Sequence, residues 1–148
     1  MYYFEDFRVG DAFDLGNTTV TEEEIIAFAQ HYDPQPFHVS PELAQKSPFG
    51  GLIASGLQTM GLFMRLFVEV ILNNAISLAS PGADEIRWLK PVCPGDVLNA
   101  RLTVVESTPS RSRPEMGIVR FKWEMLNQAN ERVLTLQSTH FLGRKPLE

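Results

Sequence analysis

Apolar residues recur at helical spacing between positions 25 and 29, directly after the sequence TEEE that begins at Thr21. Thr-x-x-Glu is the spacing of a capping box, in which the threonine side chain accepts a hydrogen bond from the first turn of a helix. The two features together predict a helix that runs to about Tyr32. Pro34 disfavours the α conformation at Asp33, so the helix is expected to end there.

A second, longer apolar stretch runs from Ser55 or Gly56 to Asn73 and predicts the longest helix of the chain. Its polar positions fall on one narrow stripe of that helix: Gln58, Arg65 and Glu69. A helix with so little polar surface is expected to be enclosed by other elements on most sides. Arg65 and Glu69 lie one helical turn apart, and we expect them to form a buried structural ion pair.

Alternation of apolar and polar residues at every second position predicts β-strands elsewhere in the chain. One strand is expected around Ala12–Val20. Four more are expected after the long helix, in the segments ADEIRWLKP, DVLNARLTVVE, GIVRFKWEML and RVLTLQSTHFL. This separation of strands from helices indicates an α+β protein with an antiparallel sheet. A sheet curled around the long helix would bury that helix best.

The chain has 148 residues, of which 44% are hydrophobic and 21% are charged, and its formal net charge is −5. These values are typical of a single globular domain, which we expect to span residues 1–148. The negative balance gives no support for binding to nucleic acid or to an anionic membrane. The single cysteine, Cys93, excludes an intrachain disulfide and is typical of a reducing compartment.

The most membrane-like run, residues 57–72, is interrupted by charged residues and falls short of the ~20 apolar residues that cross a bilayer. The first residues lack the basic and apolar regions of a secretory signal. We therefore expect a cytoplasmic protein.

The segment DPQPFH brings two titratable side chains, Asp33 and His38, close together in sequence. Pro34 and Pro36 restrict the backbone between them, which predicts a stiff, non-helical segment. A preorganised carboxylate and imidazole can act as a general acid–base pair. The alternative is structural, with Asp33 capping the next turn and His38 satisfied locally. A metal site that also uses His31 matches no known ligand spacing, so no metal is predicted.

The segment GGLIASG ends at Ser55 and Gly56, where the long helix is predicted to begin. The first amides of a helix are unpaired donors at its positive end, so they can bind an anion or an oxygen that becomes negative during a reaction. The alternative is that Gly56 and Gly61 only permit close packing of the helix.

In this order, DPQPFHVSPELA and FGGLIASG resemble the MaoC-like dehydratase family, which includes the R-specific enoyl-CoA hydratases. FEDFRVGD and IRWLKPVCPGD are similar to further segments of that family, so the resemblance covers most of the chain. Three positions depart from the family pattern. Gln35 replaces an asparagine, Phe37 replaces a smaller aliphatic residue, and Ser55 stands where the family often has histidine.

The resemblance implies a hot-dog fold, in which an antiparallel sheet wraps around a long central helix. It also implies a homodimer or higher homo-oligomer that acts on acyl-CoA, with no cofactor other than coenzyme A in its substrate. Asp33 and His38 would be the catalytic pair, with Asp33 as the base and His38 orienting the water. The Gly56 N–H would bind the thioester oxygen, and Ser55 would contribute to substrate binding.

Two other functions are compatible with the same residues. In a hot-dog thioesterase, Asp33 would direct water at the carbonyl carbon of an acyl-CoA. A non-catalytic hot-dog protein would bind acyl thioesters or pair with another subunit without turnover. Of the remaining residues that could carry chemistry, His31 and His140 are expected to be structural, and Trp88 and Trp123 to lie in the core or an interface.

Overall fold

The computed structural model describes residues 1–147, which form five β-strands and four α-helices. The strands are β1 (Ala12–Thr19), β2 (Ser77–Trp88), β3 (Val97–Pro109), β4 (Met116–Leu126) and β5 (Arg132–Gly143). The helices are α1 (Glu22–Tyr32), α2 (Pro36–Val39), α3 (Pro41–Gln45) and α4 (Gly56–Val70). The strands form one antiparallel sheet in the order β1-β3-β4-β5-β2, as the separation of strands and helices predicts.

Strands β3, β4 and β5 carry the alternating patterns from which they were predicted. In β3, Leu98, Ala100, Leu102 and Val104 are buried, while the residues between them are wholly or partly accessible. Side chains on alternate positions of a strand point to opposite faces, so these residues form one apolar face of the sheet. Helix α4 packs on this apolar face of the sheet.

Strand β2 begins at Ser77, six residues before the predicted segment ADEIRWLKP. It pairs only with β5, and almost all of its side chains are exposed. An edge strand with little burial on either face needs no strict alternation of apolar and polar residues, which explains why its first half was missed. Three irregularities in its register with β5, one of them next to Gly82, further break the pattern.

Helix α4 lies against the middle of the sheet through its phenylalanines. The Phe63 ring stacks on Trp123 with 4.3 Å between centroids, and Phe67 meets Phe121 edge-on at 5.3 Å. Stacked and edge-on aromatic pairs contribute about 0.5–1.5 kcal/mol beyond the burial of their area. The helix ends at Val70, and a 3₁₀ turn follows it, so it is shorter than the predicted stretch to Asn73.

The expected enclosure of α4 on most sides is wrong for the single chain. Leu57, Met64 and Val70 are exposed along its outer face. The predicted buried ion pair is wrong as well, because Arg65 and Glu69 are both exposed and the Arg65 guanidinium donates to the Thr18 hydroxyl. Across residues 1–147, no helix has the length and apolar character needed to cross a membrane.

The link between α1 and α4 positions the DPQPFH segment. The Thr21 hydroxyl accepts from the Glu24 amide at the start of α1, and the helix ends with Asp33 as its C-cap. The prediction of a non-helical segment is wrong for Pro36–Val39, which forms the short helix α2. Proline is favoured at the first position of a helix because its missing N–H is not needed there.

His140 lies in the core, as its expected structural role requires. Its side chain is 3% exposed and meets the rings of Phe67 and Phe121 edge-on. Trp123 donates its indole N–H to the Ser138 hydroxyl at 2.8 Å, and that hydroxyl lies 2.9 Å from His140 Nε2. The hydroxyl can therefore donate to an unprotonated Nε2, and burial lowers the pKa of His140 to about 4.

The burial of His140 predicts a stability that falls in mild acid. Between its unfolded pKa of about 6.5 and its folded pKa of about 4, the unfolded chain binds a proton that the folded chain does not, so the free energy of unfolding decreases as pH falls. Urea denaturation at pH 7 and pH 5 should show that wild-type protein loses about 2 kcal/mol more than the His140→Phe variant. His31→Gln, which removes an exposed histidine, should keep the wild-type pH dependence. An equal pH dependence in His140→Phe would contradict this role.

Candidate active site

Asp33 and His38 come together at the junction of α1 and α2. His38 Nε2 lies 3.2 Å from Asp33 Oδ2, and the imidazole is buried while the carboxylate is about one-fifth exposed. The two prolines fix this arrangement. Pro34 follows the end of α1, and Pro36 begins the single turn that carries His38 back towards Asp33.

The backbone of the GGLIASG segment orients the His38 ring. His38 Nδ1 lies 2.7 Å from the Ile53 carbonyl oxygen, which can only accept, so Nδ1 carries a proton. The other ring nitrogen, Nε2, therefore faces the Asp33 carboxylate. Nε2 and Asp33 Oδ2 attract each other when a proton lies between these two atoms. This is the arrangement of an imidazole whose orientation and tautomer are fixed by a second hydrogen bond.

Asp33 accepts hydrogen bonds at both carboxylate oxygens. The Gln35 amide donates to Oδ1 at 2.7 Å, and the Ser55 hydroxyl donates to Oδ2 at 2.8 Å. Burial acts to raise the pKa of Asp33, but these two bonds and the nearby His38 charge outweigh it and hold the pKa below its usual range. Asp33 is therefore a carboxylate at neutral pH. Two of the family departures, Gln35 and Ser55, thus act directly on this carboxylate.

The start of α4 borders the same space. Ser55 is its N-cap, and its hydroxyl accepts from the Leu57 amide at 3.3 Å while donating to Asp33. The Ser55 carbonyl accepts from the next two amides of the helix, those of Gln58 and Thr59. Of the first amides of α4, that of Gly56 has no partner within residues 1–147. It is a free donor at the positive end of a fifteen-residue helix.

These groups line one pocket with a volume of about 400 Å³. Asp33, His38, Ser55 and Gly56 all lie on its wall, so the structure brings together the four residues singled out in the sequence. Their individual roles remain predictions. Most other lining residues are apolar, among them Ile53, Ala54, Leu57, Leu89, Pro91, Val92 and Val133. A pocket of this size and character is suited to an acyl chain next to a few fixed polar groups.

Trp88, which was expected in the core or an interface, lines this pocket, and its place at an interface stays a prediction. Trp123 lies in the core as expected, but Trp88 is 52% exposed and lies at the pocket, against the start of α4. Lys90, two residues further, also lines the pocket and pairs with Glu131. The available signal was the aromatic residue three positions before the proline in IRWLKP, which places a large ring where β2 ends.

The model of the MaoC like domain matches residues 6–122 of the chain. The chain belongs to the MaoC-like dehydratase family. It is 32% identical over 129 residues to YdeM, an uncharacterized protein of Bacillus subtilis strain 168, covering 87% of this chain and 90% of that protein. It is 31% identical over 116 residues to an (R)-specific enoyl-CoA hydratase of Rhodospirillum rubrum, covering 75% of each.

A solved structure extends the match to the whole fold. The crystal structure of a MaoC-like dehydratase from Rhodospirillum rubrum superposes with a TM-score of 0.91 at 40% identity, covering 99% of this chain and 100% of that one. The antiparallel sheet with its long helix α4 is thus the hot-dog fold of MaoC-like proteins, as the sequence resemblance implies.

The bond from Ser55 to Asp33 predicts a shift in the pH dependence of activity. In Ser55→Ala, Asp33 loses a donor that stabilises its charged form, so its pKa rises and the acid limb of kcat/KM moves to higher pH. The effect should therefore be largest on the acid side of the profile, where protonation of Asp33 limits the rate. The measurement is a pH profile of kcat/KM.

Ser40→Ala is the matched control for this variant. Ser40 is also a helix N-cap, and its hydroxyl accepts from the Leu43 amide at the start of α3, but it makes no bond to Asp33. Both variants should lose about 1 kcal/mol of stability through the lost cap. Only Ser55→Ala should shift the acid limb, and an unshifted limb would show that the Ser55 hydroxyl does not stabilise the charged form of Asp33.

Proposed function

We propose that this MaoC-like protein is a hydro-lyase that adds water reversibly to 2-enoyl-CoA thioesters and forms (R)-3-hydroxyacyl-CoA. The observation that carries the proposal is the shared pocket. A carboxylate held in its charged form, an oriented imidazole and a free helix-start amide line one apolar cavity. The relative named (R)-specific enoyl-CoA hydratase supports the reaction and its stereochemistry.

In the proposed reaction, a water molecule lies beside the Asp33–His38 pair, within hydrogen-bond reach of both side chains. Asp33 takes a proton from this water while the water oxygen bonds to C3 of the enoyl chain. The electrons of the C2–C3 double bond move towards the thioester, whose oxygen becomes negative. A proton from the Asp33–His38 pair then adds to C2, so water is consumed and both residues return to their starting state.

The Gly56 amide would stabilise the negative thioester oxygen of this intermediate. A preorganised N–H directed at a developing oxyanion contributes about 3 kcal/mol, because the donor is already in place when the charge develops. The positive end of α4 acts in the same direction. No metal is required by these steps, because the charge develops on an oxygen for which the protein already has a donor.

We also propose that the protein acts as a homodimer or higher homo-oligomer, in keeping with a hot-dog relative that forms a complex. Within residues 1–147, β2 pairs on one side only, and it carries the exposed apolar residues Leu78 and Trp88. A second copy of the chain could pair with this edge and cover them. A cytoplasmic location remains a prediction.

Hydration can be separated from its two alternatives with one panel of thioesters. With crotonyl-CoA and a branched enoyl-CoA, the proposal predicts loss of enoyl absorbance without release of free thiol, and an (R)-3-hydroxyacyl product by chiral chromatography. Thiol released from saturated and enoyl substrates alike would instead indicate a thioesterase. Tight binding of acyl-CoA without either change would indicate a non-catalytic binding protein and contradict the proposal.

A further inference from the structure

Trp88 lies directly on the residue whose amide is proposed to bind the thioester oxygen. A methyl group built onto Gly56 would stand 2.3 Å from both Nε1 and Cε2 of the Trp88 indole, and 2.8 Å from Cδ1. These are much shorter than any real carbon contact, so the ring occupies the space that a side chain at position 56 would need. Residue 56 must therefore be glycine for Trp88 to take this position.

The indole lies with its face over Gly56, at the nitrogen end of the ring, so its N–H points sideways in the ring plane. The three ring atoms nearest to Gly56 are Cδ1, Nε1 and Cε2, which are the nitrogen and the two carbons bonded to it. A buried tryptophan N–H normally finds an acceptor within the protein, as that of Trp123 does at the Ser138 hydroxyl, whereas Trp88 is half exposed. Within residues 1–147, the hydrogen bonds around the pocket include none from the Trp88 indole.

Two unpaired N–H donors thus border one part of the pocket wall, the Gly56 amide and the Trp88 indole. Both lack a protein acceptor, and both lie beside the carboxylate and imidazole that would hold water. A carbonyl oxygen has two lone pairs, so it can accept from two donors at once, and acyl-transfer enzymes commonly place two N–H groups at a developing oxyanion.

We infer that the Trp88 indole N–H is a second hydrogen-bond donor to the thioester oxygen, acting together with the Gly56 amide. This inference rests on the proposed hydration. It makes Trp88 a catalytic residue, because its N–H would contact the oxygen on which charge develops. The proposed role requires a hydrogen-bond donor at the indole nitrogen, which a purely apolar side chain at position 88 could not supply.

The Trp88→Phe variant tests the donor because it keeps an aromatic ring and removes the N–H. A donor that acts mainly in the transition state should lower kcat and kcat/KM together, by about tenfold or more, while KM changes little. Trp88→Leu removes the ring as well, and should lower kcat to a similar extent and also raise KM. Leu78→Ala, at another exposed apolar position of β2 outside the pocket, controls for disturbance of the edge strand.

A second measurement reports on the hydrogen bond without turnover. Infrared difference spectra of bound butyryl-CoA, labelled with ¹³C at the thioester carbonyl, give the stretching frequency of that carbonyl. Donation by Trp88 should lower this frequency in wild-type protein, and Trp88→Phe should move it back towards the value of the free thioester. A merely structural Trp88 would leave the frequency unchanged.

The outcomes separate this inference from the proposed function. Wild-type hydration with an undiminished kcat in Trp88→Phe and an unshifted carbonyl frequency would overturn the role of Trp88 and leave the proposed function intact. A wild-type protein that hydrates no 2-enoyl thioester would overturn both. Circular dichroism and light scattering on each variant test whether folding or assembly has changed, because Trp88 and Leu78 lie on the β2 edge that is proposed to pair with a second copy.

Discussion

Replacing Asp33 by Asn is expected to lower the kcat of enoyl-CoA hydration by at least ~10²-fold, which is the effect of losing a positioned general base. Asparagine keeps the shape of the side chain and can still bond to Ser55 and Gln35, but it cannot accept a proton. Because Asp33 is held in its charged form by those two residues, wild-type activity should persist to lower pH than an ordinary carboxylate would allow. The measurement is kcat with crotonyl-CoA.

Asp14→Asn provides a matched control for the loss of a carboxylate. Asp14 also has a pKa below its usual range, through bonds from the Gly16 amide and the Asn99 side chain, but it lies on β1 and is not part of the pocket. It should keep wild-type kcat. Unchanged turnover in Asp33→Asn, with folding intact, would remove Asp33 from the mechanism.

The second large effect is expected at His38. In His38→Asn the amide nitrogen can occupy the place of Nδ1 and still donate to the Ile53 carbonyl, while the group that faces Asp33 is removed. The buried carbonyl keeps its partner, so stability should change little, whereas kcat should fall by about 10²-fold because the water and proton are no longer held on that side.

His38→Gln is the complementary variant. Its longer amide can approach Asp33 but leaves the Ile53 carbonyl without a donor, which costs about 1–3 kcal/mol of stability for a buried group. Activity should again be low, since an amide does not exchange a proton at neutral pH. His31→Gln, an exposed histidine on α1, should be inert. Full activity in His38→Asn would show that Asp33 acts without the imidazole, and it would remove His38 from the mechanism.

The fold was largely predictable where the burial of one face makes apolar residues recur at regular spacing along the sequence. Strands β3 and β4 alternate because one face packs on α4, and the α1 boundary at Asp33 follows from Pro34. The start of α4 was predictable because a capping serine precedes a long apolar run. Each of these features acts through local geometry that a single sequence displays.

The candidate site was only partly predictable, because it is completed by residues that are distant in sequence. Asp33 and His38 are marked by their prolines, but the bond from Ser55 spans 22 positions and follows from the way α4 meets α1. Trp88 was not placed, since an edge strand exposed on both faces shows no alternation that would orient its side chains. The outer face of α4 was assigned to the core because the apolar composition of a helix does not by itself show how many of its faces are buried.

A structure of the Asp33→Asn variant with bound crotonyl-CoA tests the central claim most directly. The slow variant should retain intact substrate, with its thioester oxygen at hydrogen-bond distance, about 3 Å, from the Gly56 amide. The C3 atom should face the side chains of residue 33 and His38, with a water molecule within reach of both. A thioester bound away from the start of α4, or an enoyl chain whose C3 points away from His38, would contradict the proposed hydration.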